Sequence, residues 1–203
     1  MFALVESGSI TQMPRGNKGI QIGNVKYPAA IYTLWSEAER NAIGIYTIEI
    51  DDTNKKDEEW YINTNITYVF SGGKVKGTYG TATAKAIADA DAVDRDGNKI
   101  KDADGNQIIN EGLKTIWVRQ TKKRANDLLV KSDWEVTRKA EKGTAIASAT
   151  TTFRDKVRTA CNTIETKING CSSFADFKAL FDAPVDSKGI VSGPPPIDDF
   201  PRE

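Results

Sequence analysis

Two cysteines and two aspartate-rich repeats are the residues of this chain that could do chemistry. None of the 203 residues is histidine, which removes the usual general base, most catalytic triads and most zinc sites. Cys161 and Cys171 lie ten residues apart, without a CxxC pair or a histidine partner. Since Cys161 falls on the apolar stripe of a predicted helix, we interpret it as a buried free thiol in a reducing compartment.

The aspartate repeats resemble part of a calcium-binding loop. They read DRDGNKI at 94–100 and DADGNQI at 102–108. The first copy matches an EF-hand loop at its first, third and fifth positions. Lys99 then stands where that loop needs glycine, and Gly105 stands where it needs a bidentate glutamate. Because Asp-Gly-Asn is also ordinary turn chemistry, we predict turns in a linker or hairpin arm over 85–112, without a bound metal.

Motifs for cofactors and activated nucleophiles are absent from the rest of the sequence. It contains no glycine-rich phosphate loop, no nucleophile elbow and no GxG spacing at a strand–helix junction. Acidic residues are plentiful, but no spacing marks a catalytic pair. We therefore predict that the protein is not an enzyme and holds no cofactor.

Charge and hydropathy give no sign of a nucleic-acid or membrane partner. Lys plus Arg and Asp plus Glu number 28 each, so no net charge attracts the chain to nucleic acid or an anionic membrane. We see no run of membrane-span length and expect no signal peptide. The charge is uneven, however, because 113–142 hold nine basic residues against four acids. This segment is a solvated helix face or a docking surface around Lys122, Lys123 and Arg124.

The first 84 residues are patterned as strands. The predicted elements are hairpins over 2–13, 20–27 and 60–81, a helix over 32–43 and a strand over 45–50. Gly23-Asn24 and Ser71-Gly72-Gly73 suit tight hairpin turns. Ser36 and Glu39 fit a capping box at the helix start. We predict a mostly antiparallel β domain over 1–84 with one short helix.

Two successive helices are predicted after residue 112. The apolar residues of the first recur at three- and four-residue steps: Leu113, Ile116, Trp117, Ala125, Leu128 and Leu129. Ser132 and Glu135 fit a capping box that starts a second helix, and Gly143 suits its left-handed C-terminal cap. Trp134 lies in the first turn of this second helix. We predict that it packs against Leu128 and Leu129, with a partner-facing tryptophan as the alternative.

The remaining chain is predicted as two helices and a tail. Ser148 can cap a helix that runs to Ile168, with an apolar stripe of Phe153, Val157, Cys161, Ile164 and Ile168. Ser173 and Asp176 start a last short helix, so 113–182 form a helical hairpin or small bundle. The tail, 183–203, ends in SGPPPIDDFPRE and is extended. It is disordered, or Phe200 docks into a partner groove.

A β-rich first part followed by a helical part makes the predicted fold class α+β.

One order of residues across the helical part resembles a known family. It consists of Leu128-Leu129, Ser132-Asp133-Trp134, Arg138, Glu141, Gly143, Phe153-Arg154 and Val157-Arg158. This order is similar to the C-terminal motif of bacteriophage tail assembly chaperone and tail-fibre assembly proteins. The family's usual tyrosine is replaced by Phe153, and Ala145-Ile146-Ala147 stands where a proline is usual.

The resemblance implies an assembly factor that keeps a tail or tail-fibre subunit soluble in the host cytoplasm. The alternative is a structural component of the virion tail, such as a baseplate, fibre or adaptor protein. An enzyme acting on host glycans is the weakest alternative, and homo-oligomerisation stays open. The candidate partner-binding residues are Trp117, Lys122, Lys123, Arg124, Trp134, Arg138 and Phe200. No membrane or nucleic-acid partner is predicted.

Overall fold

The computed structural model describes residues 1–202 and divides the chain into two compact units. The first unit is Met1–Ala84, and the second begins at Lys85. Strands form most of the first unit and helices most of the second. The predicted α+β class is confirmed.

A five-stranded sheet organises the first unit. In chain order its elements are β1 (Phe2–Glu6), β2 (Ser9–Gln12), β3 (Ile20–Ile22), β4 (Val25–Tyr27), α1 (Ile31–Leu34), α2 (Glu37–Ala42), β5 (Ile45–Asp51), β6 (Tyr61–Ile62), β7 (Ile66–Ser71), β8 (Lys74–Tyr79) and β9 (Thr83–Ala84). The sheet has the order β2-β1-β5-β8-β7. Its neighbours are antiparallel except β5 and β8, which are parallel. The prediction of a mostly antiparallel sheet is confirmed, with one parallel pair that alternation along single strands does not reveal.

Glycines close the predicted hairpin between β7 and β8. Ser71 pairs with Lys74, which leaves Gly72 and Gly73 as a two-residue loop. Their φ angles are +58° and +76°, so both residues lie in the left-handed region that residues with a Cβ rarely adopt. This geometry matches the twist of the flanking strands and fixes the register of the pair.

The predicted single helix over 32–43 is wrong, because Ser36 begins a new helix. Ser36 is extended, with φ −64° and ψ 162°, and separates α1 from α2. Its hydroxyl accepts the N–H of Glu39, and its own N–H donates to the Glu39 carboxylate. The capping box itself is thus confirmed; it caps the second of two short helices.

The two faces of β1 pack into different apolar clusters. Leu4 joins Ile31 and Ile45 on one face, and all three are almost fully buried. Ala3, the preceding residue, packs with Val75 on the other face. Successive side chains of a strand point to opposite faces, so β1 ties both clusters together.

The second unit combines a hairpin arm with four helices. Its elements are β10 (Ala90–Asp91), β11 (Ile109–Asn110), α3 (Leu113–Leu129), α4 (Asp133–Lys142), α5 (Ser148–Gly170) and α6 (Phe174–Ala179). Short 3-10 turns span Val130–Ser132 and Pro196–Asp198. Gly143 ends α4 with φ +69°, as predicted. The predicted capping box of Ser173 and Asp176 is confirmed at the start of α6.

Both aspartate repeats fold into the same turn, as predicted. Asp94 Oδ1 accepts the backbone N–H groups of Asp96 and Asn98, each at 2.9 Å. Asp102 accepts the N–H of Asn106 at 2.8 Å in the second copy. These donors, first of all the N–H of Asn98, hold the pKa of Asp94 below its usual range. Each carboxylate is therefore occupied by its own turn.

A third copy of this turn lies in the tail, where sequence reasoning did not find it. Asp186 Oδ1 accepts the N–H groups of Lys188 and Ile190 at 2.8 and 2.9 Å. Val185 and Val191 face each other across the turn in an antiparallel bridge. The residues shared by all three copies are an aspartate and a glycine three positions later, with φ near +80° to +90° at that glycine.

The start of α3 is bonded to the arm. The N-cap of α3 is Gly112, which offers no side chain. Asp89 supplies the missing acceptor: it takes the N–H of Gly112 at 2.7 Å and the hydroxyl of Thr115 at 2.9 Å. Leu113 also donates to the carbonyl of Ala86 at 2.9 Å. A carboxylate is favourable here because it faces the positive end of the helix dipole.

The helix α5 supplies most of the core of the second unit. Its Val157, Ile164 and Ile168 are almost fully buried, and Phe177 of α6 is fully buried. Cys161 is a buried free thiol, as predicted. Burial is the main cause that raises the pKa of its thiol to about 11. The predicted capping role of Ser148 is wrong, because α5 has its N-cap at Ala147 instead.

The prediction of a disordered tail is wrong. Ile197 donates its N–H to the carbonyl of Leu180 at 3.0 Å. It lies in a 3-10 turn that begins at the last of the three prolines, Pro196, so the tail is not extended there as predicted. Phe200 is only 8% exposed. Burial of this ring against the chain's own helix α3 offsets the entropy lost when the tail is ordered.

Candidate functional site

A buried arginine holds the corner between α3 and α4. Nη1 of Arg154, on α5, donates to the carbonyl of Leu129 at 2.7 Å, to Oγ of Ser132 at 2.8 Å and to Oδ1 of Asp133 at 2.8 Å. The carbonyl belongs to the last turn of α3, and the carboxylate lies in the first turn of α4. One cation therefore satisfies the end of one helix and positions the start of the next.

The predicted capping box of Ser132 and Glu135 is wrong. The chain passes from α3 into α4 through a 3-10 turn, so Ser132 (φ −113°, ψ 7°) lacks the extended backbone of an N-cap. Its hydroxyl donates back to Leu129 instead. Glu135 accepts the N–H of Ala147 at 3.2 Å and the hydroxyl of Thr150 at 2.9 Å. It therefore caps the start of α5, where Ser148 was expected to act.

Trp134 lies on the solvent side of this corner, so the prediction that it is a core residue is wrong. It is 57% exposed, and α4 contains no buried residue at all. The guanidinium carbon of Arg138 lies 4.6 Å from the centroid of the indole, in the range of a cation–π contact. Val130, four residues before Trp134, is also exposed. Polar contacts of Arg154, and not apolar packing of the indole, hold the corner.

The Trp134–Arg138 pair leaves one donor unused. Nε of Arg138 is buried and has no hydrogen-bond partner within residues 1–202. An unsatisfied buried donor destabilises the free protein by about 1–3 kcal/mol. This nitrogen is covered by the chain itself, so the surface that the pair offers to another molecule is the face of the indole, which is 57% exposed as a residue.

The three basic residues predicted as a docking surface are each in an ion pair with an acid of the same chain. Lys122 pairs with Glu165 at 3.2 Å, Lys123 with Asp127 at 3.0 Å, and Arg124 with Asp198. Such exposed pairs contribute little to stability. They do, however, neutralise much of the positive charge that an external docking surface on α3 would use.

Four of the predicted residues meet in a second place, here called the α3 groove. Trp117, Lys123 and Arg124 of α3 and Phe200 of the tail line a cavity of about 310 Å³. Trp117 is edge-on to Phe181 with 4.5 Å between ring centroids. The guanidinium carbon of Arg124 lies 5.3 Å from the centroid of Phe200. Six of the seven predicted residues are therefore divided between the Trp134–Arg138 pair and this groove, one wall of which is the chain's own tail. Lys122 belongs to neither place.

Sequence reasoning missed Arg154, although a signal for it exists. Arg154, Val157, Cys161, Ile164 and Ile168 follow one another at steps of three and four residues, so Arg154 lies on the buried stripe. A charge on an apolar stripe indicates a buried ion pair. Phe153, which was assigned to that stripe, is only half-buried.

Across residues 1–202, no cluster of three or more histidine, cysteine, aspartate or glutamate side chains is arranged to hold a metal ion. No helix in that range is long and apolar enough to cross a membrane. No family model, curated protein or solved structure matches this chain.

Proposed function

We propose that this protein acts by protein–protein binding, as an assembly chaperone for a bacteriophage tail or tail-fibre protein. The observation that carries the proposal is the exposed Trp134–Arg138 pair on α4. Tryptophan and arginine are the residues most enriched among those that dominate binding energy at protein interfaces. Trp134 contacts Arg138 but is still 57% exposed, and Val130 one turn earlier is exposed as well, so a partner would cover apolar surface here.

The shared residue order supports the same proposal, because its members have two separable jobs. Ser132, Asp133 and Arg154 hold the helix corner through hydrogen bonds. Trp134 and Arg138 belong to the same order, but they contact each other on the surface of α4 and not in the core. An order of residues that combines a rigid corner with an exposed pair suits a binding motif on a preformed helix.

The chemistry of the pair suggests what it would bind. The indole offers a flat apolar surface, and the guanidinium of Arg138 beside it carries a positive charge. A partner segment with an apolar side chain beside a carboxylate or an exposed backbone carbonyl would satisfy both. Subunits of an unassembled fibre expose such carbonyls at unpaired strand edges, where a chaperone would bind them before assembly.

The test is co-expression with a phage tail or tail-fibre protein encoded beside this one. The wild-type chain should raise the soluble yield of that protein, and Trp134→Ala should remove the effect without lowering its own melting temperature. Val136→Ala, on the same exposed helix and 40% exposed in the wild type, is the matched control and should keep the effect. Full activity of Trp134→Ala would contradict the proposed surface.

Gradient-purified phage particles then distinguish the chaperone from a virion part. A chaperone should be absent from mature particles. A fixed number of copies per particle would make the protein a structural component of the tail and end the chaperone proposal. Turnover of a host polysaccharide by the isolated protein would contradict both assignments.

A further inference from the structure

The last residues of the chain occupy the α3 groove as a short peptide ligand would. Arg124 recognises two of them at once, because its guanidinium forms an ion pair with Asp198 and lies over the ring of Phe200. Ile197 adds a backbone hydrogen bond to Leu180 at 3.0 Å. The segment therefore presents an acid, an aromatic two positions later and flanking prolines. The rest of the chain offers it a cation, an apolar surface and a backbone carbonyl.

The connection to this segment is narrow and ends in a stiff stretch. The hairpin that closes where Ser192 donates to Pro184 at 2.8 Å is followed by Gly193 alone and then by three prolines. Pro194 and Pro195 precede the 3-10 turn that begins at Pro196, and consecutive prolines hold an extended conformation of about 3.1 Å per residue. Rotation at Gly193 would therefore carry residues 196–202 away from the groove as one piece.

Apolar side chains on the connecting hairpin are left uncovered. Val185, Ile190 and Val191 are each at least 60% exposed. They lie next to Gly193, the point about which the tail would turn. A contact with a second copy at this point would cover apolar surface that the single chain leaves exposed.

We infer that the α3 groove is a binding site for residues 194–202 of a second copy of this chain. The groove makes the same contacts whether the segment arrives from its own chain or from another. Reciprocal exchange gives a two-fold symmetric dimer, in which each copy supplies one groove and one tail. This inference does not rest on the proposed chaperone role.

The competing intramolecular contact must be removed to test the inference. A tail-deficient chain carries Asp198→Arg and Phe200→Ala, which leaves its groove empty. A groove-deficient chain carries Arg124→Asp, which leaves its tail free. Each should sediment as a monomer alone, and the mixture should form a 1:1 complex. The dissociation constant of that complex should lie below about 1 mM, the effective concentration that a short tether gives its own binding site.

Two controls make the complex specific. Lys122→Asp changes a charge of the same sign two residues away, at a side chain that pairs with Glu165 and does not line the groove, and should leave its own tail bound and give no complex. Restoring the ion pair in one chain, with Arg124→Asp and Asp198→Arg together, should also abolish association with the tail-deficient chain. A complex that persists with this last variant would overturn the inference.

A peptide of residues 193–203 provides a second measurement that does not need the groove-deficient chain to fold. It should bind the full-length tail-deficient chain, and its Asp198→Arg form should bind at least about tenfold more weakly, the size of one lost charge-assisted contact. Absence of binding by the unaltered peptide, or of a complex between two folded variants, would overturn the inference.

Discussion

Replacement of Arg154 by methionine tests whether this side chain holds the helical corner. The side chain of Arg154 is 10% exposed, and its guanidinium donates to three acceptors. The side chain of its partner Asp133 is 52% exposed. Methionine keeps the apolar stem and removes the donors, but it is shorter than arginine and leaves a small unfilled space. The effect on stability therefore combines the loss of the polar contacts with a smaller packing loss.

The size of the effect follows from which acceptors can return to water. Asp133 is half-exposed and is rehydrated at little cost, so its contribution is that of a partly screened ion pair. The carbonyl of Leu129 keeps only the hydroxyl of Ser132 as a donor. Loss of charge-assisted bonds to acceptors of this kind costs about 1–3 kcal/mol each, and loss of one partner of a fully buried pair costs about 3–5 kcal/mol. We expect Arg154→Met to lower the free energy of unfolding by about 2–4 kcal/mol.

Urea unfolding followed by circular dichroism at 222 nm measures this change, because the helices lie mainly in the second unit. Arg158→Met is the matched control: it lies one turn further along α5, is about half-exposed and pairs with Asp155 at 3.2 Å. An exposed pair of this kind contributes at most about 1 kcal/mol. If Arg154→Met costs less than about 1 kcal/mol, or no more than the control, the corner is not held by Arg154.

Three further predictions follow from burial and hydrogen bonding. Trp134→Ala should cost less than about 1 kcal/mol in a denaturant melt, whereas Phe177→Ala, at a fully buried ring, should cost about 3–5 kcal/mol; equal losses would place the indole in the core. Burial keeps Cys161 protonated until the pH rises toward its pKa of about 11, so a thiol reagent at pH 8 should label it far more slowly in the folded than in the urea-unfolded chain; equal rates would contradict the burial. Millimolar calcium should leave the melting temperature unchanged, because the carboxylate of Asp94 is taken by its own turn; a rise of several degrees that Asp94→Ala abolishes would show that calcium binds there.

Local signals in the sequence predicted local structure well. Gly72-Gly73, the Ser173–Asp176 box and the left-handed Gly143 each depend on residues within a few positions of one another. The third aspartate turn escaped notice because Lys188 and Ile190 replace the expected aspartate and asparagine. Only the aspartate and the glycine are required by its hydrogen bonds, and a search for that pair alone would have found it.

The failed predictions in the second unit share a dependence on a distant partner. Ser132 and Glu135 have the spacing of a capping box. Arg154, about twenty residues later, donates a hydrogen bond to Ser132 instead, and Glu135 accepts one from the start of α5. The residues around Phe200 have the composition of a disordered tail. The contact that orders this ring comes from Arg124, which is far away in sequence. No periodicity within one element carries such information, because each contact is decided by how two elements pack.

The position of Trp134 shows how one misplaced partner changes a functional interpretation. If Ser132 and Glu135 capped α4, the chain would turn at the corner and could bring the indole against Leu128 and Leu129. The 3-10 turn continues the helical path instead, which directs α4 away from the core and leaves the indole under Arg138. Arg154 bonds to Ser132 and Asp133 at this turn and therefore helps to hold α4 in the direction that leaves the indole exposed. For that reason Arg154→Met should weaken binding of a partner at Trp134 as well as stability, whereas Trp134→Ala should affect binding alone.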